Sequence, residues 1–84
     1  MSDEEFDILD ELYFVQSFEV LVKELDLQED VIKVLLLSLI KKGWVKCFEA
    51  VDREIVVDDT GFEDNYFRYY YLATKEGLLA HNSN

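Results

Sequence analysis

Apolar residues recur at intervals of three and four along the first part of the chain, the spacing of helices with one buried face. Ser2 and Glu5 form the S-x-x-E pattern of a capping box, so a first helix is predicted to begin there and to run to about Phe14. Residues 14–17 are short and partly β-branched, which favours a brief extended link or an edge strand.

Two more helices are predicted before Gly43, a residue type that commonly follows the end of a helix. Ser17 suits the N-cap of a short helix over residues 18–25. A third helix, residues 29–42, has the clearest pattern, because its large apolar residues fall on one broad face. These residues are Ile32, Leu35, Leu36, Leu39 and Ile40.

Beyond Gly43 the apolar period changes from about 3.6 residues to about 2, which indicates strands. Residues 44–51 and 66–73 are the two predicted strands. The segment between them, residues 52–65, is predicted to be a long acidic loop, of which residues 53–57 could extend the first strand.

Three stretches resemble bacterial winged-helix transcription regulators. SFEVLVKELDL (17–27) resembles their second helix and turn, and residues 31–45, which end in LIKKGWV, resemble their recognition helix running into the first wing strand. YLATKEG (71–77) is similar to the aromatic-x-x-Thr-x-x-Gly segment that closes their wing. The resemblance covers about residues 5–80 and implies an α+β winged helix-turn-helix fold, three helices followed by a two-stranded β wing.

Length and composition fit one domain. The chain has 84 residues, of which half are apolar and 14% are aromatic, enough for a single core. We therefore expect residues 1–84 to form one domain, with the wing loop at about residues 52–65. Cys47, the one cysteine, has no partner for a disulfide, and no signal peptide or membrane span is recognisable. These features favour a cytoplasmic protein without membrane contact.

The net charge of −11 is unevenly distributed. Residues 1–30 carry a charge of −10, residues 31–50 carry +3, residues 51–65 carry −5 and residues 66–84 carry +1. Two acidic zones thus flank one basic zone, and most of the surface would repel a polyanion.

The resemblance implies one candidate function, DNA-binding transcriptional regulation through the outer face of helix three and the wing. The residues available for nucleic-acid binding are Lys33, Ser38, Lys41, Lys46 and Arg53. Glu29 and Asp30, however, stand where that helix would enter the major groove, and the wing is rich in acids. DNA binding is therefore kept as the alternative, and the charge disfavours it.

Two apolar residues, Val34 and Leu37, fall on the same outer face of helix three. An apolar patch rimmed by charge is typical of contact with a protein partner or a second copy of the chain, although the wing or a terminus could instead cover it. Tyr66 and Tyr70 are predicted to share one face of the second strand, which either packs within the fold or, if exposed, takes part in the same contact. The preferred function is a non-enzymatic interaction module.

Catalytic chemistry has few candidates in this sequence. Thr74 suits the cap of a last short turn over residues 75–81, and His81 is expected to fray near the chain end. Cys47 lies in a predicted strand, where an inert buried thiol is expected. The acidic run 58–64 lacks the D-x-D-x-D-G spacing of a calcium loop. We expect no enzyme activity, cofactor, metal or small-molecule substrate.

Overall fold

The chain forms five α-helices, one 3₁₀ turn and four strands over residues 1–83, the part that the computed structural model describes. The helices are α1 (Asp3–Glu11), α2 (Phe18–Glu24), α3 (Glu29–Lys41), α4 (Asp59–Asn65) and α5 (Lys75–Asn82). The strands are β1 (Gln16–Ser17), β2 (Val45–Ala50), β3 (Arg53–Ile55) and β4 (Tyr70–Ala73), and the 3₁₀ turn is Tyr66–Arg68. The predicted α+β class is confirmed.

Side-chain caps fix where three of the predicted helices begin. The Ser2 hydroxyl accepts a hydrogen bond from the backbone of Glu5, whose carboxylate accepts one from the Ser2 backbone, so the capping box is confirmed. Ser17 caps α2 and Thr74 caps α5 in the same way, through a hydroxyl that accepts from the backbone three residues ahead. At the other end of α3, Gly43 adopts a φ of 79°, the left-handed conformation that glycine favours after a helix.

Helix α1 ends at Glu11, short of the predicted Phe14. The carbonyl of Leu12 accepts a hydrogen bond of 2.9 Å from the backbone N–H of Ala73, so the chain leaves the helix to meet β4. It then enters β1, which pairs antiparallel with β4. The edge strand expected at residues 14–17 is confirmed over its last two residues.

One antiparallel sheet joins distant parts of the chain in the strand order β1-β4-β2-β3. The central pair, β2 and β4, is in register over residues 45–48 and 70–73. Residues 53–57 do not extend β2: the chain reverses after it, and β3 pairs back on β2. The prediction of one continuous strand is therefore wrong, because a tight turn at residues 51–52 reverses the chain.

The prediction of a long loop over the rest of residues 52–65 is also wrong, since α4 lies within it. The Asp58 carboxylate accepts a hydrogen bond of 2.7 Å from the Gly61 N–H and caps α4. Phe62, one turn further on, is completely buried. Capping and burial of one aromatic ring together make this acidic segment helical.

A single cluster of buried side chains joins α1, α2, α3 and α4 to the sheet. The fully buried large side chains are Tyr71, Phe62, Ile8, Leu9, Leu12, Leu21, Ile32, Leu36, Leu39 and Cys47. The inner face predicted for helix three is thus the face of α3 that enters the core.

Within residues 1–83, no helix is both long and apolar enough to cross a membrane.

His81 lies in α5 and is only 8% exposed, so the expectation of a frayed end is wrong at this residue. Its imidazole stacks on the ring of Phe6 with centroids 4.1 Å apart. Its Nδ1 lies 3.0 Å from the hydroxyl of Tyr13. Packing of α5 on α1 holds the end of the described chain in place.

Candidate partner-binding groove

The outer face of α3 carries an exposed apolar side chain. Val34 is 64% exposed, although Ile32 and Leu36 on the inner face of the same helix are completely buried. Leu37 was expected to be exposed as well, but it is half-buried and packs against the core. Its position explains this difference, because Leu37 faces the side of α3 along which α4 lies.

Phe62 anchors helix α4 to the 3₁₀ turn and to β4. The Phe62 ring lies 5.8 Å from the Tyr66 ring and 6.4 Å from the Tyr71 ring, measured between centroids. These aromatic contacts anchor a helix of only 7 residues, which has little stability alone.

A groove of about 480 Å³ separates the two helices. Its lining residues are Lys33, Val34, Leu37, Ser38, Lys41, Lys42, Phe62 and Glu63. The floor is apolar and the rim is charged, the combination that protein-binding surfaces show. The groove brings together Val34 and Leu37, proposed for a partner, with Lys33, Ser38 and Lys41, proposed for nucleic acid.

Acids of α4 form ion pairs with two of the three lysines that line the groove. Lys33 pairs with Glu63, and Lys41 donates to Asp59 over 2.9 Å. The Glu63 carboxylate raises the pKa of Lys33 above its usual value. The groove is therefore bridged by an ion pair at each end.

The two remaining basic candidates lie on the sheet, away from the groove lining. Lys46 lies 3.7 Å from a Glu54 oxygen, and Arg53 donates to Glu49 over 3.1 Å. All four basic side chains considered for nucleic acid thus have a carboxylate within ion-pair distance.

Tyr66 and Tyr70 do not share one strand face, so that prediction is wrong. The strand expected over residues 66–73 begins only at Tyr70, because residues 66–68 form the 3₁₀ turn. The Tyr66 carbonyl accepts a hydrogen bond of 2.6 Å from the Tyr71 hydroxyl. The Tyr66 ring packs edge-on against Phe18 at 5.0 Å and lies 5.0 Å from the Lys33 ammonium. Tyr66 therefore borders the groove, whereas Tyr70 lies within the sheet opposite Phe48.

Sequence reasoning missed the side of the groove that α4 supplies, namely Phe62 and Glu63, and it missed Asp59, which pairs with Lys41. Two local signals were present: Asp58 and Gly61 at cap spacing, and Phe62 and Tyr66 four residues apart. Both fall in an acidic stretch with a central glycine, where a loop is the usual outcome.

The buried thiol of Cys47 and the buried hydroxyl of Tyr71 lie outside the groove lining. Cys47 is buried in β2, and this burial raises the pKa of its thiol to about 12. Tyr71 is also buried, which raises the pKa of its hydroxyl. Among residues 1–83, no three or more His, Cys, Asp or Glu side chains are grouped closely enough to hold a metal ion.

No model of a known protein family matches this chain, and neither the curated proteins nor the solved structures include a match. The basis for assigning a function is therefore the groove itself.

Proposed function

We propose that the protein is a non-enzymatic interaction module of the winged-helix type, which binds a protein partner or a second copy of itself through the α3–α4 groove. The winged-helix assignment is supported by the order of the elements. Helices α2 and α3 are joined by a short turn, and β2 and β4 follow as an antiparallel pair. Between them β3 and α4 are inserted where the resemblance implies a wing loop.

The observation that carries the binding function is the exposure of Val34 above an apolar floor. Val34 is 64% exposed, and the half-buried Leu37 lines the same groove beneath a charged rim. Burying an exposed valine against a partner releases water from apolar surface and favours association. Tyr66 borders this surface next to Lys33, and its ring can add to the contact.

DNA is the less favoured ligand of the same surface. A duplex lying along α3 would have to displace Asp59 and Glu63 from the two lysines that would contact phosphate. The net charge of −11 adds long-range repulsion.

Site-specific photo-crosslinking tests the proposal. A photoreactive amino acid at Val34 is expected to give a covalent adduct with a protein in cells, because the side chain projects into the contact. The same substitution at Val56, a valine that is 98% exposed outside the groove, is the matched control. Absence of any adduct at Val34, or an identical set of adducts at both positions, would contradict the proposal.

A titration with a random-sequence DNA duplex at low salt tests the alternative. The interaction module predicts no measurable binding under conditions that maximise phosphate contacts. Binding that weakens steeply with salt and is lost in Lys33→Ala would instead favour a DNA-binding regulator.

A further inference from the structure

Apart from Lys33, whose side chain is only 23% exposed and pairs with Glu63 of α4, the charged residues on the outer face of α3 are divided between its two ends. Glu29 and Asp30 lie in the first turn, and Lys41 lies in the last turn, with Lys42 directly after it. Val34 lies between these ends, and Asp30 and Lys41 are about 16 Å apart along the helix axis at 1.5 Å per residue. One end of this face is thus acidic, the other basic and the middle apolar.

From this division we propose that the groove's partner is a second copy of the chain, docked by an antiparallel crossing of two α3 helices about a two-fold axis. The inference rests on the proposed function and specifies its partner. In such a crossing, centred at the level of residues 35–36, Asp30 of each copy lies opposite Lys41 of the other. The same symmetry places Val34 of one copy opposite Leu37 of the other, so charge and apolar surface are both self-complementary.

The acids at the start of α3 are free to make these contacts. Within residues 1–83, Glu29 and Asp30 take part in none of the ion pairs, and both are exposed. The Lys41 side chain remains 57% exposed although it contacts Asp59, so its ammonium can reach a second carboxylate. Each copy therefore supplies unpaired carboxylates and a reachable ammonium.

Net charge opposes this association at long range, because each copy carries −11. At about 0.15 M salt the screening length is about 8 Å, which weakens repulsion between distant charges more than attraction between paired ones. Self-association is therefore expected to be stronger at 0.15 M salt than at 0.01 M.

Charge reversal tests the crossing directly. Light scattering coupled to size exclusion should show a dimer for the unmodified chain and a monomer for Asp30→Lys or Lys41→Glu alone. In either variant two attractive pairs become repulsive, and we expect the Kd to rise by at least about tenfold. An equimolar mixture of the two variants should form a heterodimer, because residue 30 of one copy and residue 41 of the other regain opposite charges at both ends.

Matched reversals control for the change in net charge. Glu76 is a first-turn acid of α5 and Lys23 a last-turn lysine of α2, and both are exposed. Glu76→Lys and Lys23→Glu should both remain dimeric. Circular dichroism of every variant establishes that it is folded before the masses are compared.

Three results would overturn the inference: a monomer at every concentration of the unmodified chain, dimers in both single reversals, or no heterodimer in the mixture. A monomeric chain that still crosslinks to another protein from Val34 would refute self-association and leave the proposed function intact. A monomeric chain with no crosslink from Val34 would refute both.

Discussion

The Glu5 carboxylate connects the start of α1 to the end of α3. One of its oxygens accepts from the Ser2 backbone at 3.0 Å, and the other accepts from the Lys42 ammonium at 2.7 Å. Its side chain is only 10% exposed, so these contacts replace most of its hydration. The hydrogen bond from Lys42 lowers the pKa of Glu5 most, and the bond from Ser2 adds to this effect.

Glu5→Gln should lower the free energy of unfolding by about 1 kcal/mol at pH 7, since glutamine keeps the cap and loses the ion pair. Because the pKa of Glu5 is lowered in the folded state, its stabilising contribution is complete above the unfolded pKa of about 4.5 and is lost as the pH falls through the folded pKa. Urea unfolding at pH 7 and pH 3 measures both effects. The difference between the two proteins should be smaller at pH 3 than at pH 7; an equal difference at both pH values would show that the ion pair is not its source.

Cys47 should be protected from thiol reagents in the native protein. With a pKa of about 12, only about one thiol in ten thousand is ionised at pH 8, and burial also blocks access. Labelling by a chromogenic disulfide at pH 8 is expected to be slow and to accelerate when guanidinium is added. Rapid labelling of the folded protein would contradict the burial of this thiol.

Gly77 is required by a close approach between α5 and the residue after Gly43. A Cβ atom at Gly77 would lie 2.1 Å from the carbonyl oxygen of Trp44, which also accepts a hydrogen bond from the Thr74 backbone. Gly77→Ala should therefore lower the free energy of unfolding by about 2–3 kcal/mol, as overpacking against backbone does. In Gly61→Ala the nearest atom belongs to the Asp58 side chain, which can move, and the change should stay within about 1 kcal/mol. Thermal unfolding of both variants measures this contrast, and equal melting temperatures would contradict it.

At the scale of the element, α4 depends on one side chain. Phe62→Ala removes the only completely buried residue of this helix and should lower the free energy of unfolding by about 3–5 kcal/mol. If α4 also detaches, Asp59 and Glu63 leave the lysines of α3 and the amides of residues 59–65 lose protection. Hydrogen exchange measures this loss. Val56→Ala, at a valine that is 98% exposed, is the control and should leave exchange unchanged.

Local signals predicted the elements whose ends are set by neighbouring residues. The caps at Ser2, Ser17 and Thr74 each act on a backbone three residues ahead, so they can be recognised from sequence. Helix α4 has a cap of the same kind at Asp58, but its stability also depends on Phe62 packing against Tyr71 of β4, a contact that no local pattern shows. Burial of His81 on Phe6 depends likewise on residues 75 positions apart, which no local pattern reveals.

Only the α3 side of the candidate groove could be predicted, because that side depends on a local pattern and the α4 side does not. Val34 and Leu37 were placed on the outer face of helix three by its period alone. The degree of burial of Leu37, and the pairing of Lys33 and Lys41 with acids of α4, follow from the position of α4 and could not be derived from that period.

At the scale of the whole molecule, acidic repulsion opposes folding. The chain carries 19 acidic against 8 basic residues, and its surface ion pairs contribute at most about 1 kcal/mol each. Raising NaCl from about 0.01 M to about 0.3 M should therefore increase the melting temperature, since screening relieves more repulsion than attraction. Glu76→Lys, which reduces the net negative charge, should show a smaller increase. A melting temperature that falls with salt would indicate that the ion pairs dominate.

The pairing of β1 with β4 also determines when the protein can fold during its synthesis. Gln16 pairs with Tyr71, so the sheet joins residues separated by most of the chain. While a ribosome is still adding residues 1–69, α1, α2 and α3 have no β4 to pack with, and the carbonyl of Leu12 lacks its donor on Ala73. Nascent chains of that length are therefore expected to remain open to proteases, and stable structure should arise in one late step once residues 70–73 emerge from the ribosomal tunnel.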